Sequence, residues 1–198
     1  MTAEDSIDLL SRALGQVSTL IAGTTSEQRS WPTPCAGWDV SALADHLYGD
    51  ISRFIVAARG DQPDWSSTDG HIEGDWTTEF SAAARTLLDT WRAADLSAPV
   101  PGVGGGEMPL YRRADMQITE LAIHAWDLDR ATRQSVDLDP AVAGRALEFG
   151  RGMLRPEFRG PEGSGKAFGL EVSVGEDASI EDRLAGWFGR RPDWRPVP

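Results

Sequence analysis

The sequence has little of several residue types, and each shortage excludes a class of protein. Cys35 is the one cysteine among 198 residues, which excludes an internal disulfide and a cysteine-based metal cluster. No apolar run is long enough to cross a bilayer. The acidic first residues lack the basic and apolar regions of a signal peptide. We therefore expect a cytoplasmic protein that has no membrane partner.

Basic residues are also scarce. The chain has 19 of them against 31 acidic residues, which gives a formal net charge of −12. Such a chain repels phosphate backbones, and no segment gathers its arginines into a basic stripe. Nucleic acid is therefore not an expected partner. With 40% apolar residues the chain is otherwise globular and close to one domain in size.

Apolar residues along most of the sequence recur with the periodicity of an α-helix. Apolar residues recur with helical spacing near the start of the chain, at Ile7, Leu10, Leu14, Val17 and Ile21. This spacing predicts an amphipathic helix over 3–21, with Thr2 as its cap. Asp39 is a predicted cap for a second helix, and Asp139-Pro140 has the pattern of a cap followed by a first helical residue. Later helices are predicted over 40–59, 77–94, 110–132, 140–154 and 179–188.

The segments between the predicted helices define the architecture. Polar or Pro/Gly-containing stretches over 60–75 and 99–109 indicate loops. Alternation from Phe168 to Val174 predicts a short strand. The fold class is therefore all-α, a four-helix bundle with a small C-terminal strand and helix addition. We assign residues 1–154 to the bundle, and 155–198 to a linker and an extension packed on it.

The fourth predicted helix contains a carboxylate and an imidazole within an apolar face. Glu120 and His124 lie one turn apart and about 40° apart around the helix axis, and Asp127 follows on the same stripe. Burying an unpaired carboxylate is costly, so Glu120 needs a partner. A cation that bridges Glu120 and His124 would supply one.

The second predicted helix offers a third ligand. His46 lies on its apolar face, and two histidines with one carboxylate are a common ligand set for catalytic zinc or iron. Simpler interpretations stay open, because His46 fits a core histidine and Glu120 with His124 fits an intrahelical hydrogen bond. Asp127 fits either an acceptor for a metal-bound imidazole or a partner of Arg113.

The same residues resemble a known family. Thr33-Pro34-Cys35-Ala36-Gly37-Trp38-Asp39-Val40, followed by Asp45-His46-Leu47, resembles the second-helix motif of the DinB-like bundle proteins. Within that family it is similar to the branch that contains mycothiol-dependent maleylpyruvate isomerase. Glu120-Leu121-Ala122-Ile123-His124-Ala125-Trp126-Asp127 resembles the metal-binding helix of this branch. The tail, with Phe188-Gly189-Arg190, is similar to the ending of an actinobacterial subgroup of metal-binding proteins.

The resemblance implies a metal centre and a thiol chemistry. His46, Glu120 and His124 match the family's metal ligands, with zinc the expected ion and nickel, manganese or iron as alternatives. Family members use the metal to bind and deprotonate a low-molecular-weight thiol, mycothiol in actinobacteria. The isomerase has a larger C-terminal domain than the short segment present here. Maleylpyruvate is therefore not the expected substrate, and we expect a mycothiol-dependent S-transferase that joins the thiol to a small electrophile, or a family member of unassigned activity.

Two other functions compete with thiol transfer. A metal-dependent hydrolase would need a carboxylate that is not a ligand as its base, for which Asp50 and Asp127 are candidates. A non-enzymatic metal-binding or sensing protein would use the bundle as a ligand pocket. Arg113, near the start of the fourth helix, is a further candidate pocket residue. The sequence does not fix the oligomeric state, and a homodimer stays open.

Overall fold

The computed structural model describes residues 3–66, 70–102, 105–161, 163–175 and 177–196. In these residues it has six α-helices and one two-stranded sheet, so the predicted all-α class is confirmed. The elements are α1 (Ala3–Gly23), α2 (Val40–Ala58), α3 (Trp76–Ala93), β1 (Pro99–Pro101), β2 (Glu107–Pro109), α4 (Tyr111–Thr132), α5 (Pro140–Met153) and α6 (Ile180–Trp187). No helix of the described residues is long and apolar enough to span a membrane.

The first four helices form the bundle around a shared apolar core. Helices α1 and α2 each pack against both α3 and α4. The inward face of α2 carries apolar residues at helical spacing, of which Leu43, Leu47, Ile51 and Phe54 are almost fully buried. Helix α5 packs on α4, and α6 packs on α5. The boundary that we set at residue 154 stays a prediction.

The two aspartate caps predicted from the sequence mark where α2 and α5 begin. Asp39 accepts a hydrogen bond from the backbone N–H of Ala42 at 2.8 Å, and α2 begins directly after it. Asp139 accepts from the N–H of Ala141, and Pro140 is the first residue of α5. Both caps agree with the sequence prediction. The predicted cap Thr2 lies outside the described residues.

Two local predictions were wrong. The predicted loop over 99–109 contains the antiparallel pair β1–β2, in which Val100 pairs with Met108. The buried side chain of Val100 anchors this hairpin to the core, a tertiary contact that proline and glycine content does not reveal. The strand predicted over Phe168–Val174 is not formed in the described residues, because its backbone hydrogen bonds are confined to Phe168, with Phe158 and Gly160, and to Val172, with Gly186, so no continuous ladder develops. Phe168 forms one isolated bridge with Arg159.

Candidate metal centre

Two helices of the bundle bring the three predicted ligands together. His46 projects from α2, and Glu120 and His124 project from α4, which packs against α2. One ligand atom from each residue lies within 4.8 Å of the others. Nε2 of His124 is 3.6 Å from Oε2 of Glu120, and the two imidazole rings meet edge to face with centroids 5.0 Å apart. We call this set the outer cluster.

The outer cluster fits a divalent ion by donor type and spacing. Zinc binds imidazole nitrogen and carboxylate oxygen at about 2.0–2.2 Å, so two ligand atoms of a tetrahedral site are about 3.3–3.6 Å apart. The Glu120–His124 pair already has this spacing, and a movement of His46 by up to about 1.3 Å would close the cluster around an ion. Burial lowers the pKa of His46, which keeps this imidazole neutral and able to coordinate at pH 7.

The charges around His124 favour a cation. Burial alone would lower the pKa of His124, but its contacts with Asp127, Cys35 and Glu120 outweigh burial and raise it well above the usual value. Burial also opposes ionisation of Glu120, yet the neighbouring imidazoles lower the pKa of its carboxyl group. The site therefore holds excess negative charge, which a proton or a metal ion would compensate.

A second group of side chains lies on the inner side of His124. Nδ1 of His124 donates to Oδ2 of the fully buried Asp127 at 3.0 Å. The Cys35 thiol donates to the same oxygen at 3.1 Å, and its sulfur is 3.8 Å from Nδ1. Cys35, His124 and Asp127 form a second set with ligand atoms within 4.8 Å, here called the inner cluster.

Arg190 balances the charge of the inner cluster. Its guanidinium donates to both oxygens of Asp127, at 3.2 and 2.9 Å, and to the sulfur of Cys35 at 3.3 Å. Although burial opposes its charge, Asp127 and Cys35 raise the pKa of Arg190. Arg190 and His124 in turn hold the pKa of Asp127 far below its usual range, despite burial. Asp127 is therefore a fixed carboxylate that orients His124.

The other two predicted pocket residues differ in position. Oδ2 of Asp50 is 3.4 Å from Nε2 of His46, and its other oxygen accepts from Arg53. Burial raises the pKa of Asp50, against the opposing influence of His46 and Arg53. Arg113 is not in the pocket, which corrects the sequence interpretation. It donates instead to backbone carbonyls, including that of Asp61 at 2.6 Å.

A cleft of about 710 Å³ opens onto the outer cluster. His46, Glu120 and His124 lie on one side of it, together with Trp38, whose ring centroid is 4.8 Å from that of His46. The segments 160–161, 163 and 166–170 line it, as does 188–190. Its volume is typical of a small-molecule site. The C-terminal extension therefore completes a cleft that the bundle begins.

Sequence reasoning missed the positions of Cys35 and Arg190. Cys35 lies in the motif before α2 and Arg190 lies in the tail motif, but neither pattern predicts a contact with His124 or Asp127. One signal was available. A carboxylate as buried as Asp127 needs a cationic partner, and that requirement could have prompted a search for a distant arginine.

Comparisons with known proteins identify the family and the fold of this chain. A family model described as the mycothiol maleylpyruvate isomerase N-terminal domain matches residues 10–129. Two uncharacterized proteins of Mycobacterium tuberculosis, from strains CDC 1551 and H37Rv, are each 31% identical over 179 residues, which covers 90% of this chain and 94% of each relative. Crystal structures of a mycothiol-dependent maleylpyruvate isomerase and of its histidine-to-alanine mutant share the fold. Their TM-scores are 0.52 and 0.57 at 17% and 16% identity, over 74% of this chain and 68% of theirs.

Proposed function

We propose that this chain, which belongs to the mycothiol maleylpyruvate isomerase N-terminal domain family, is a metal-dependent transferase of a low-molecular-weight thiol such as mycothiol. The observation that carries the proposal is the outer cluster at the wall of a cleft with room for small molecules. His46, Glu120 and His124 would hold a divalent ion, most simply zinc, and leave coordination positions open. Bound there, the ion would lower the pKa of a coordinating thiol and make it nucleophilic at neutral pH.

The protein's own residues orient the reaction. Asp127 fixes the ring of His124 through Nδ1 and leaves Nε2 directed toward Glu120. Trp38 covers His46 and lines the cleft, which gives an apolar wall for a bound acceptor. In the proposed step the thiol sulfur bonds to an electrophilic carbon, the leaving group departs with the bonding electron pair, and the thiol proton passes to solvent.

The contacts of the two candidate bases favour thiol transfer over hydrolysis. A general base must have a free oxygen near the attacked atom. Both oxygens of Asp127 accept from Arg190, and Oδ2 also accepts from His124 and Cys35. Asp50 is paired with Arg53 and is not among the described residues that line the cleft. Asp127 therefore has no oxygen free for a water molecule, and Asp50 lies behind His46 and not at the surface of the cleft.

Cobalt substitution tests the proposed function. Mycothiol added to the cobalt protein should produce a sulfur-to-cobalt charge-transfer band, and the band should persist below the ordinary thiol pKa of about 8.5. A haloarene or epoxide should then be consumed only when both metal and thiol are present. Glu120→Gln should weaken metal binding rather than only slow turnover, since Glu120 is assigned as a ligand.

The result that contradicts the proposal is an unchanged cobalt spectrum. If millimolar mycothiol and related thiols leave it unaltered, thiol transfer is wrong. If the thiol binds but no electrophile is consumed, the protein is a thiol-binding or sensing protein and not a transferase.

A further inference from the structure

Two overlapping clusters each offer three donor atoms suited to a metal ion. Both contain His124, whose Nε2 faces the outer cluster and whose Nδ1 faces the inner one. Both hold their ligand atoms within 4.8 Å of one another. Cysteine, histidine and aspartate are all ordinary zinc ligands, and thiolate is a strong one. The chemical type of the ligand atoms therefore does not determine which cluster binds the ion, and another feature of the structure must do so.

Arg190 distinguishes the two clusters. Its guanidinium contacts the two inner ligands that are absent from the outer cluster, Cys35 and Asp127. The guanidinium also donates to the backbone carbonyl of Phe188 at 3.0 Å, and this third contact further restricts its orientation. A guanidinium carries a permanent charge and fills space in the plane of its donors. The inner cluster thus already contains a cation, and a divalent ion bound there would be repelled by the positive charge of the guanidinium.

The C-terminal extension holds this guanidinium in place. The backbone N–H of Arg190 donates to the carbonyl of Ala185, near the end of α6, at 2.9 Å. Gly189 adopts a φ of +84°, and a Cβ there would lie 2.8 Å from Cα of Gly169. Two features of the turn before Arg190 therefore require glycine at position 189: the left-handed backbone conformation and the close packing against Gly169. This packing limits how far Arg190 could withdraw from Asp127.

We infer that Arg190 is a positioning residue that assigns the metal ion to the outer cluster. It occupies the inner cluster as a built-in cation, and it keeps Asp127 on Nδ1 of His124 so that Nε2 serves the metal. The inference rests on the proposed metal site and adds a residue that controls it. It also gives the C-terminal extension a role in metal selection besides lining the cleft.

Cobalt spectra recorded without any added thiol test this role. The wild-type protein should show no sulfur-to-cobalt band, and Cys35→Ser should leave its spectrum unchanged. Arg190→Gln should gain the band, because Cys35 can then coordinate. Cys35→Ser in the Arg190→Gln background should remove it again. Arg190→Lys, which keeps a positive charge, should stay free of the band.

Zinc affinity gives a second readout. In the Cys35→Ser background, where the inner cluster lacks its thiol, Arg190→Gln should weaken zinc binding by about 10- to 100-fold, the usual effect of losing support behind a metal-bound histidine. A change that was merely structural would lower the melting temperature but would not create a Cys35-dependent band.

Several outcomes would overturn the inference. A Cys35-dependent band in the wild-type protein would mean that the inner cluster already binds the ion. A wild-type cobalt spectrum for Arg190→Gln would mean that Arg190 does not determine which cluster binds the ion. If Arg190→Gln lacks a native circular dichroism spectrum, Arg190→Met replaces it in the same comparison: a Cys35-dependent band supports the role of Arg190, and a wild-type spectrum refutes it. A wild-type protein that binds no cobalt would instead remove the proposed metal site itself.

Discussion

Removal of His124 should abolish the thermal response of the protein to zinc. A ligand that binds only the folded state at 100 times its Kd stabilises it by about 2.7 kcal/mol. For a domain of this size, 1 kcal/mol raises Tm by about 2–4 °C, so the wild-type protein should gain about 5–10 °C. Because His124 belongs to both clusters, His124→Ala leaves neither with three ligands. Its gain should fall to about 1 °C or less, which corresponds to [L] near Kd or below.

The assay compares melting temperatures with zinc and with a chelator for each variant. The difference between the two conditions is the relevant quantity, because His124→Ala also removes the hydrogen bond to Asp127 and lowers the absolute Tm. His71→Ala is the matched control. Its side chain is 68% exposed and pairs with Asp45 at the surface, so its zinc response should equal that of the wild type. Equal zinc responses in wild type and His124→Ala would refute the assigned site.

Three further predictions concern stability and titration. Asp115→Ala should lower the free energy of unfolding in urea by about 3–5 kcal/mol, because it leaves the buried Arg145 without its main partner; a loss below 1 kcal/mol would contradict this. Phe54→Ala should cost about 3–5 kcal/mol by the same measurement, since this side chain is almost fully buried in the core. The pKa of His71 is raised by its hydrogen bond with Asp45, so the interaction is fully present below about pH 6.5 and is lost as the pH rises through the higher folded value. An NMR titration of His71 should have a midpoint above pH 6.5, and Asp45→Asn should lower this midpoint toward 6.5.

Local rules explain why the helices were predictable. Each helix of the bundle presents an apolar face at helical spacing, and α2, α3 and α5 begin at aspartate caps, so the signals for a helix lie within a few residues of one another in the sequence. The hairpin β1–β2 is different. Its strands have three residues each, and Val100 stabilises it through contact with the distant core. A pattern that short carries no periodic signal.

The outer cluster was predictable for a similar reason. Glu120 and His124 are four residues apart on one helix, so helical geometry alone places them side by side. His46 is a candidate because it lies on the apolar face of α2, but the resemblance to a family was needed to favour a ligand over a core histidine, since spacing within α2 does not distinguish the two. The structure supplies the missing distance between the two helices, and it brings His46 within reach of the other two.

The inner cluster shows why the rest of the site was not predictable. Burial of Asp127 requires a cationic partner, but a periodic pattern cannot say which of 19 basic residues supplies it. Arg113, on the same helix, was the natural candidate, yet 14 residues of α-helix separate the two by about 21 Å, beyond the reach of its side chain. The partner, Arg190, is 63 residues away in sequence, and Cys35 is 92 residues away on the other side. Their meeting depends on how the C-terminal extension packs on the bundle. A side chain that must be neutralised thus predicts the chemical type of its partner, while only tertiary structure identifies the residue.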